Sequence, residues 1–216
     1  MRVDGASGAA HALRILSLGD SYTIGEGVSA TDRWPMQLAA LLRQRGLAVP
    51  DPTIVARTGW TTDELSSGID AAQLEPPYDL VTLLIGVNDQ YRGGSAADYR
   101  PRFRALLDRA VGFAGGRPQR AIVLSIPDWG VTPFASGRDR AAIAAAIRDF
   151  NEVNRDETIR LTRSAANWVD VTASFARAAS DSRLLAADGL HPSAAMYADW
   201  VQLVLAAVGP QINSGR

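Results

Sequence analysis

The residues best able to do chemistry lie in five short segments. They are Gly19-Asp20-Ser21-Tyr22, Thr58-Gly59-Trp60, Gly86-Val87-Asn88-Asp89, Pro127-Asp128-Trp129-Gly130 and Asp188-Gly189-Leu190-His191-Pro192. Together they supply a hydroxyl, a carboxamide, carboxylates, an imidazole and glycines that let backbone approach a ligand. That set suits acyl transfer. A serine hydroxyl is a poor nucleophile at its free pKa and needs an adjacent base. His191 is the better placed of the chain's 2 histidines, because His11 sits in a small, polar amino end. A carboxylate must hold such an imidazole in the productive tautomer, and Asp188 stands three residues earlier in the same segment. A developing oxyanion needs fixed donors, each worth ~3 kcal/mol. The candidates are the backbone N–H groups of Ser21 and Gly59 and the side-chain amide of Asn88.

Each of these residues also has a plainer use. Ser21 and Asp188 suit a helix or turn cap, Asn88 can bond its own backbone in a turn, and His191 can cap the last helix. Asp20 and Asp89 read as structural. Tyr22, Trp60 and Trp129 are candidates to line a substrate pocket, with packing as the alternative. Trp34, Trp168 and Trp200 read as core.

Positioning these segments requires elements that end beside them. Arg14–Gly19, Thr53–Thr58, Asp79–Gly86, Ala121–Ile126 and Trp168–Val171 are apolar runs of strand length. The third is the most continuous, as expected for a central parallel strand covered on both faces. Helical spacing separates them. Trp34, Leu38, Leu41 and Leu42 mark one helix, with Pro35 in its first turn and Gly46 at its stop. Thr61 and Glu64 form a capping box for the next. Phe103, Leu106, Leu107 and Ala110 mark a third, and Ile143, Ile147 and Phe150 a fourth. Trp200, Leu203, Val204 and Ala207 are expected to face the core from the last. Alternating strands and helices predict a parallel sheet with helices on both faces, a three-layer α/β/α sandwich. Residues 1–12 read as a flexible terminal segment and 13–216 as a single domain. In such sheets ligands sit outside the carboxyl ends of the strands, where these segments fall.

Composition narrows the function classes. The chain has 216 residues, 47% hydrophobic and 21% charged, which is the balance of a globular protein. Lys plus Arg total 22 and Asp plus Glu 23, so no basic excess favours nucleic acid. There is no cysteine, which removes disulfides, thiolate nucleophiles and Cys-type metal sites. With 2 histidines a multi-His metal site is not expected either. No stretch approaches the ~20 apolar residues of a membrane span. No signal peptide is visible, which reads as a cytoplasmic location.

The segments Gly19-Asp20-Ser21, Gly59, Gly86-Val87-Asn88-Asp89 and Asp188-Gly189-Leu190-His191-Pro192 resemble, in order, the four sequence blocks of the SGNH hydrolases, also called the GDSL esterase/lipase family. The resemblance runs from about residue 14 to residue 210. It implies a flavodoxin-like strand order of 2-1-3-4-5 and a serine esterase or acyl hydrolase. In that family Ser21 would be nucleophile and oxyanion donor, Gly59 and Asn88 the other donors, and Asp188 and His191 the rest of a triad. No cofactor is implied, and the partner is a small-molecule ester or thioester. Tyr22 stands where the family usually has leucine, which bears on the acyl pocket. Pro127-Asp128-Trp129-Gly130 belongs to no general family block.

Two rival readings use the same segments. One is acyl transfer to a sugar or alcohol through the same triad. The other is a non-catalytic flavodoxin-like module holding a phosphate or flavin near residues 19–25. Gly25-Glu26-Gly27-Val28-Ser29-Ala30 fits a dinucleotide fingerprint but does not directly follow the first strand. Gly19-Asp20-Ser21-Tyr22-Thr23 fails the G-x-S-x-G nucleophile elbow at its last position.

Overall fold

The apolar runs become five short parallel strands, and the amphipathic segments become the helices that cover them. A computed structural model describes residues 12–213, with side chains up to residue 209. His11 and nearly all of the expected flexible segment lie outside the described residues. The strands are β1 (Ile15–Gly19), β2 (Thr53–Ala56), β3 (Leu80–Leu84), β4 (Ala121–Leu124) and β5 (Trp168–Val169). The α-helices are α1 (Ser21–Ile24), α2 (Trp34–Gln44), α3 (Thr62–Ala71), α4 (Val87–Tyr91), α5 (Ala96–Phe113), α6 (Arg140–Thr162), α7 (Thr172–Ala176) and α8 (Ala194–Asn213).

The sheet order is β2-β1-β3-β4-β5, with every pairing parallel. This is the expected 2-1-3-4-5 order, and it brings the ends of all five strands to one edge. Helices α2 and α8 pack together, and α5 packs against both α3 and α6. The central strands are buried on both faces, and β3 is buried at every position. Each side chain of a β-branched or leucine run therefore meets a helix on one face or the other.

Local chemistry fixes the helix starts. Thr61 and Glu64 close the capping box at α3: the Glu64 side chain accepts from the Thr61 N–H at 2.8 Å, and Thr61 Oγ1 accepts from the Glu64 N–H at 3.4 Å. Ser95 caps α5 and Asp139 caps α6 through their side chains. Between α5 and α6 the Tyr99 and Phe150 rings stack at 4.6 Å. Beside them the buried Glu157 carboxylate meets Arg100, Arg104 and Arg160 at 2.7–2.9 Å.

Two expected core residues are placed otherwise. Leu203 is 38% exposed. The inward stripe of α8 runs through Trp200, Val204 and Val208, flanked by Val201 and Leu205, which turns Leu203 toward solvent. Trp168 lies on the edge strand β5 and is only partly buried, lining a surface hollow beside α6. Among the described residues no helix is long and apolar enough to cross a membrane.

Candidate active site

Ser21 is the first residue of α1, immediately beyond β1. The turn between strand and helix is tight. A Cβ at Gly19 would lie 2.3 Å from Thr23 Oγ1 and 2.5 Å from the Leu84 carbonyl oxygen, so only glycine fits. Asp20 caps the helix, its Oδ1 accepting from the Tyr22 N–H at 3.0 Å. The cap is fully buried, and its Oδ2 has no partner among the described residues. Burial pushes the Asp20 pKa up to about 8, and the Asp89 charge adds to the rise, against the lowering effect of the Tyr22 N–H. As the first helical residue, Ser21 leaves its own N–H without an intrahelical partner.

His191 comes from the loop before α8. Its Nδ1 lies 2.6 Å from Asp188 Oδ2. Asp188 Oδ1 accepts the backbone N–H of Leu190 at 2.9 Å and of His191 at 3.0 Å. Burial raises the Asp188 pKa, but the His191 ring and these two N–H donors outweigh it and hold the carboxyl below its ordinary value. The loop is pinned at both ends: Ala186 donates to the His191 carbonyl at 2.7 Å, and Ser193 to the Leu184 carbonyl at 2.9 Å. The Tyr22 ring stands beside the imidazole, with ring centroids 5.4 Å apart. On its other side Tyr22 packs against Phe175 and Trp200, so it is both core and wall of the site. Burial pushes its hydroxyl pKa up, which keeps it neutral.

Gly59 and Asn88 arrive from the ends of β2 and β3. Gly59 has φ +85°, while the space around its Cα is nearly empty, so the backbone angle rather than crowding requires glycine. Arg92 donates to the Gly59 carbonyl at 2.7 Å and is itself paired with Glu64 at 3.2 Å. Asn88 Nδ2 donates to the Trp60 carbonyl at 2.9 Å, which ties the two loops together, and its second amide hydrogen has no partner among the described residues. Asp89, buried one position on, accepts from the Thr62 N–H at 3.0 Å and the Thr62 hydroxyl at 2.6 Å. That anchors the start of α3 and makes Asp89 structural, as its place in the sequence suggests.

One cleft collects these groups. Ser21, Tyr22, Gly59, Asn88, Trp129 and His191 all line it. Trp60 does not: its ring packs on Gly68 of α3, away from the cleft. Val87 and Leu190, inside two of the motif segments, also line the cleft, as do Tyr91 and Phe134, which lie outside them. Tyr91 follows Asn88 by one helical turn in α4, a spacing that puts both on one face. Phe134 sits in an irregular stretch after β4 and carries no comparable signal.

The arrangement has matching relatives. The model of the GDSL-like lipase/acylhydrolase family matches residues 17–198. The chain belongs to this family, whose members are lipases and acylhydrolases. Among solved structures, TesA superposes with a TM-score of 0.67 at 19% identity, covering 92% of this chain and 99% of that one. An acetylxylan esterase from Geobacillus stearothermophilus gives a TM-score of 0.66 at 19% identity, covering 91% and 94%. A psychrotrophic esterase from Pseudoalteromonas sp., solved inhibited by monoethylphosphonate, gives 0.67 at 16%, covering 93% and 99%. At these identities the likeness is one of fold. Comparison with curated proteins finds no match.

Proposed function

We propose that the chain is a serine ester hydrolase working through an acyl-enzyme on Ser21. The observation that carries the reading is the Asp188–His191 pair. Its 2.6 Å contact occupies Nδ1 and leaves Nε2 as the basic nitrogen, in a cleft shared with Ser21. Two backbone donors hold the Asp188 carboxylate in place, so the imidazole's tautomer and tilt are fixed before substrate arrives.

His191 Nε2 takes the proton from Ser21 Oγ as the oxygen attacks the ester carbonyl carbon. The carbonyl oxygen becomes an oxyanion, received by the N–H groups of Ser21 and Gly59 and the free amide hydrogen of Asn88. Protonated His191 gives its proton to the leaving oxygen, the ester C–O bond breaks and the alcohol departs. Water then attacks the acyl-enzyme with His191 again as base, releasing the acid and restoring Ser21. Asp188 stays ionised throughout and stabilises the imidazolium. Tyr22 flanks the imidazole and Trp129 walls the cleft. The same acyl-enzyme would accept a thioester, or a sugar or alcohol in place of water. Product analysis with competing acceptors separates hydrolysis from transfer.

The test is kinetic. Ser21→Ala is expected to lower kcat/KM on a short-chain aryl ester by at least about 10⁴-fold with the melting temperature unchanged. Asn88→Ala is expected to lower kcat by about 10²–10³-fold. Wild-type turnover by the Ser21 variant would refute the assignment.

A further inference from the structure

The cleft has two unlike ends. Thr58 and Gly59, after β2, give it a polar and open side. Val87, Tyr91, Trp129 and Phe134, after β3 and β4, give it an apolar side across the sheet edge. Three aromatic rings make up that end. Tyr91 and Trp129 meet edge to face at 5.4 Å, as do Trp129 and Phe134 at 6.0 Å, while Tyr91 and Phe134 lie tilted at 6.2 Å. Tyr91 and Phe134 are 44% and 41% exposed, and such large exposed apolar side chains are scarce among the described residues. Rings left in water at the mouth of a cleft mark a surface that a ligand covers.

This aromatic end is braced. The Arg138 guanidinium lies 5.1 Å from the Tyr91 ring centre, 5.4 Å from Trp129 and 5.7 Å from Phe134, and donates to the Tyr91 hydroxyl at 3.0 Å. Trp129 Nε1 donates to Gln90 at 2.9 Å, and the Phe134 N–H donates to the Gly189 carbonyl at 3.3 Å. The strand end behind them is fixed as well, because Asn151 bonds both the N–H and the carbonyl of Ile126. These contacts fix where the three rings stand relative to one another.

The free volume of the cleft is about 180 Å³. A closed apolar cavity of ~150 Å³ takes up benzene, which sets the scale for a group that would fill this open cleft. We propose that the enzyme selects esters of short acyl groups, of about two to six carbons, and that Trp129 and Phe134 set that limit. The proposal rests on the acyl-enzyme reading above. The acyl group stays bound through both halves of the reaction and takes the apolar, aromatic end. The alcohol leaves past Thr58, on the open side.

The test is a series of acetyl, butyryl, hexanoyl, octanoyl and dodecanoyl esters of one aryl alcohol. Wild-type kcat/KM is expected to peak at or before hexanoyl and to fall at least tenfold by octanoyl. Phe134→Ala shortens an exposed side chain, and its folding is checked by thermal melting. It is expected to raise the octanoyl-to-acetyl ratio at least fivefold. Trp129→Phe, which keeps an aromatic ring but trims the indole, is expected to shift the ratio in the same direction. A wild-type preference for octanoyl or dodecanoyl, or a Phe134→Ala profile that superimposes on wild type, overturns the proposal. Those results leave the triad standing. Loss of the triad itself would appear instead as turnover that survives Ser21→Ala.

Discussion

Asp20 stands beside the nucleophile and takes no proton in the proposed mechanism. Its carboxyl is wholly buried, with one oxygen capping α1 and the other unpartnered among the described residues. Burial raises its pKa from 3.8 to about 8, so the folded state holds a proton that the unfolded chain releases. An acid raised in this way stabilises the fold fully at low pH. That stabilisation is lost as pH rises from about 4 to about 8. Asp20→Asn keeps an acceptor for the Tyr22 N–H and cannot ionise. Its melting temperature is expected to fall less than that of wild type across this window. Parallel curves for the two proteins would show that the Asp20 charge is accommodated at no cost. Gly59 makes a related point at the same scale. It is recognisable in the sequence as a glycine after a strand, but only the structure gives the reason, a positive φ beside open space.

The two longest helices before α8 are joined by charge as well as by packing. Glu157 of α6 is 1% exposed and meets three arginines, two from α5 and one from its own helix. The Arg104 hydrogen bond is the largest influence, with Arg160 and Arg100 adding to it against burial, and the carboxyl falls from 4.5 to about 2. The sign here is opposite to that of Asp20. The stabilisation is complete above pH 4.5 and is lost as pH falls toward 2. Glu157→Gln is expected to be less stable than wild type at pH 7, with the gap closing on acidification in denaturant titrations. A gap that stays constant down to pH 2 would contradict the pairing. The long helices and β3 were legible in the sequence because their patterns are regular: the leucine and β-branched run of β3, the Thr61–Glu64 box and the stripes of α5 and α6. The short ones were not. Helix α4 has five residues, and the turns over 129–135 are single 3₁₀ turns. Their conformation is set by tertiary bonds such as Asp128 to the Gly130 N–H and Trp129 to Gln90, which no local periodicity announces. Phe134 carries no sequence signal for that reason, and Leu203 fits an inward stripe in the sequence because the apolar face of α8 is broad.

Across the whole molecule, the sheet order turns five separated segments into one site. Ser21 follows β1, Gly59 β2, Asn88 β3 and Trp129 β4, while the Asp188–His191 loop returns from the far end of the chain to the same cleft. The motif blocks were readable because each sits at a strand end or before a helix, where a parallel sheet gathers its loops. The substrate end was not readable, since it depends on how Tyr91, Trp129, Phe134 and Arg138 meet in space. Activation of Ser21 as a nucleophile by His191 can be tested by covalent capture. The protein would be treated with a serine-directed phosphonate and the adduct located by peptide mass spectrometry. One adduct per chain, on Ser21, is expected, with labelling slowed by at least about 10³-fold in His191→Ala. An adduct on any other residue, or ester turnover by protein whose Ser21 remains unlabelled under saturating phosphonate, would contradict the account.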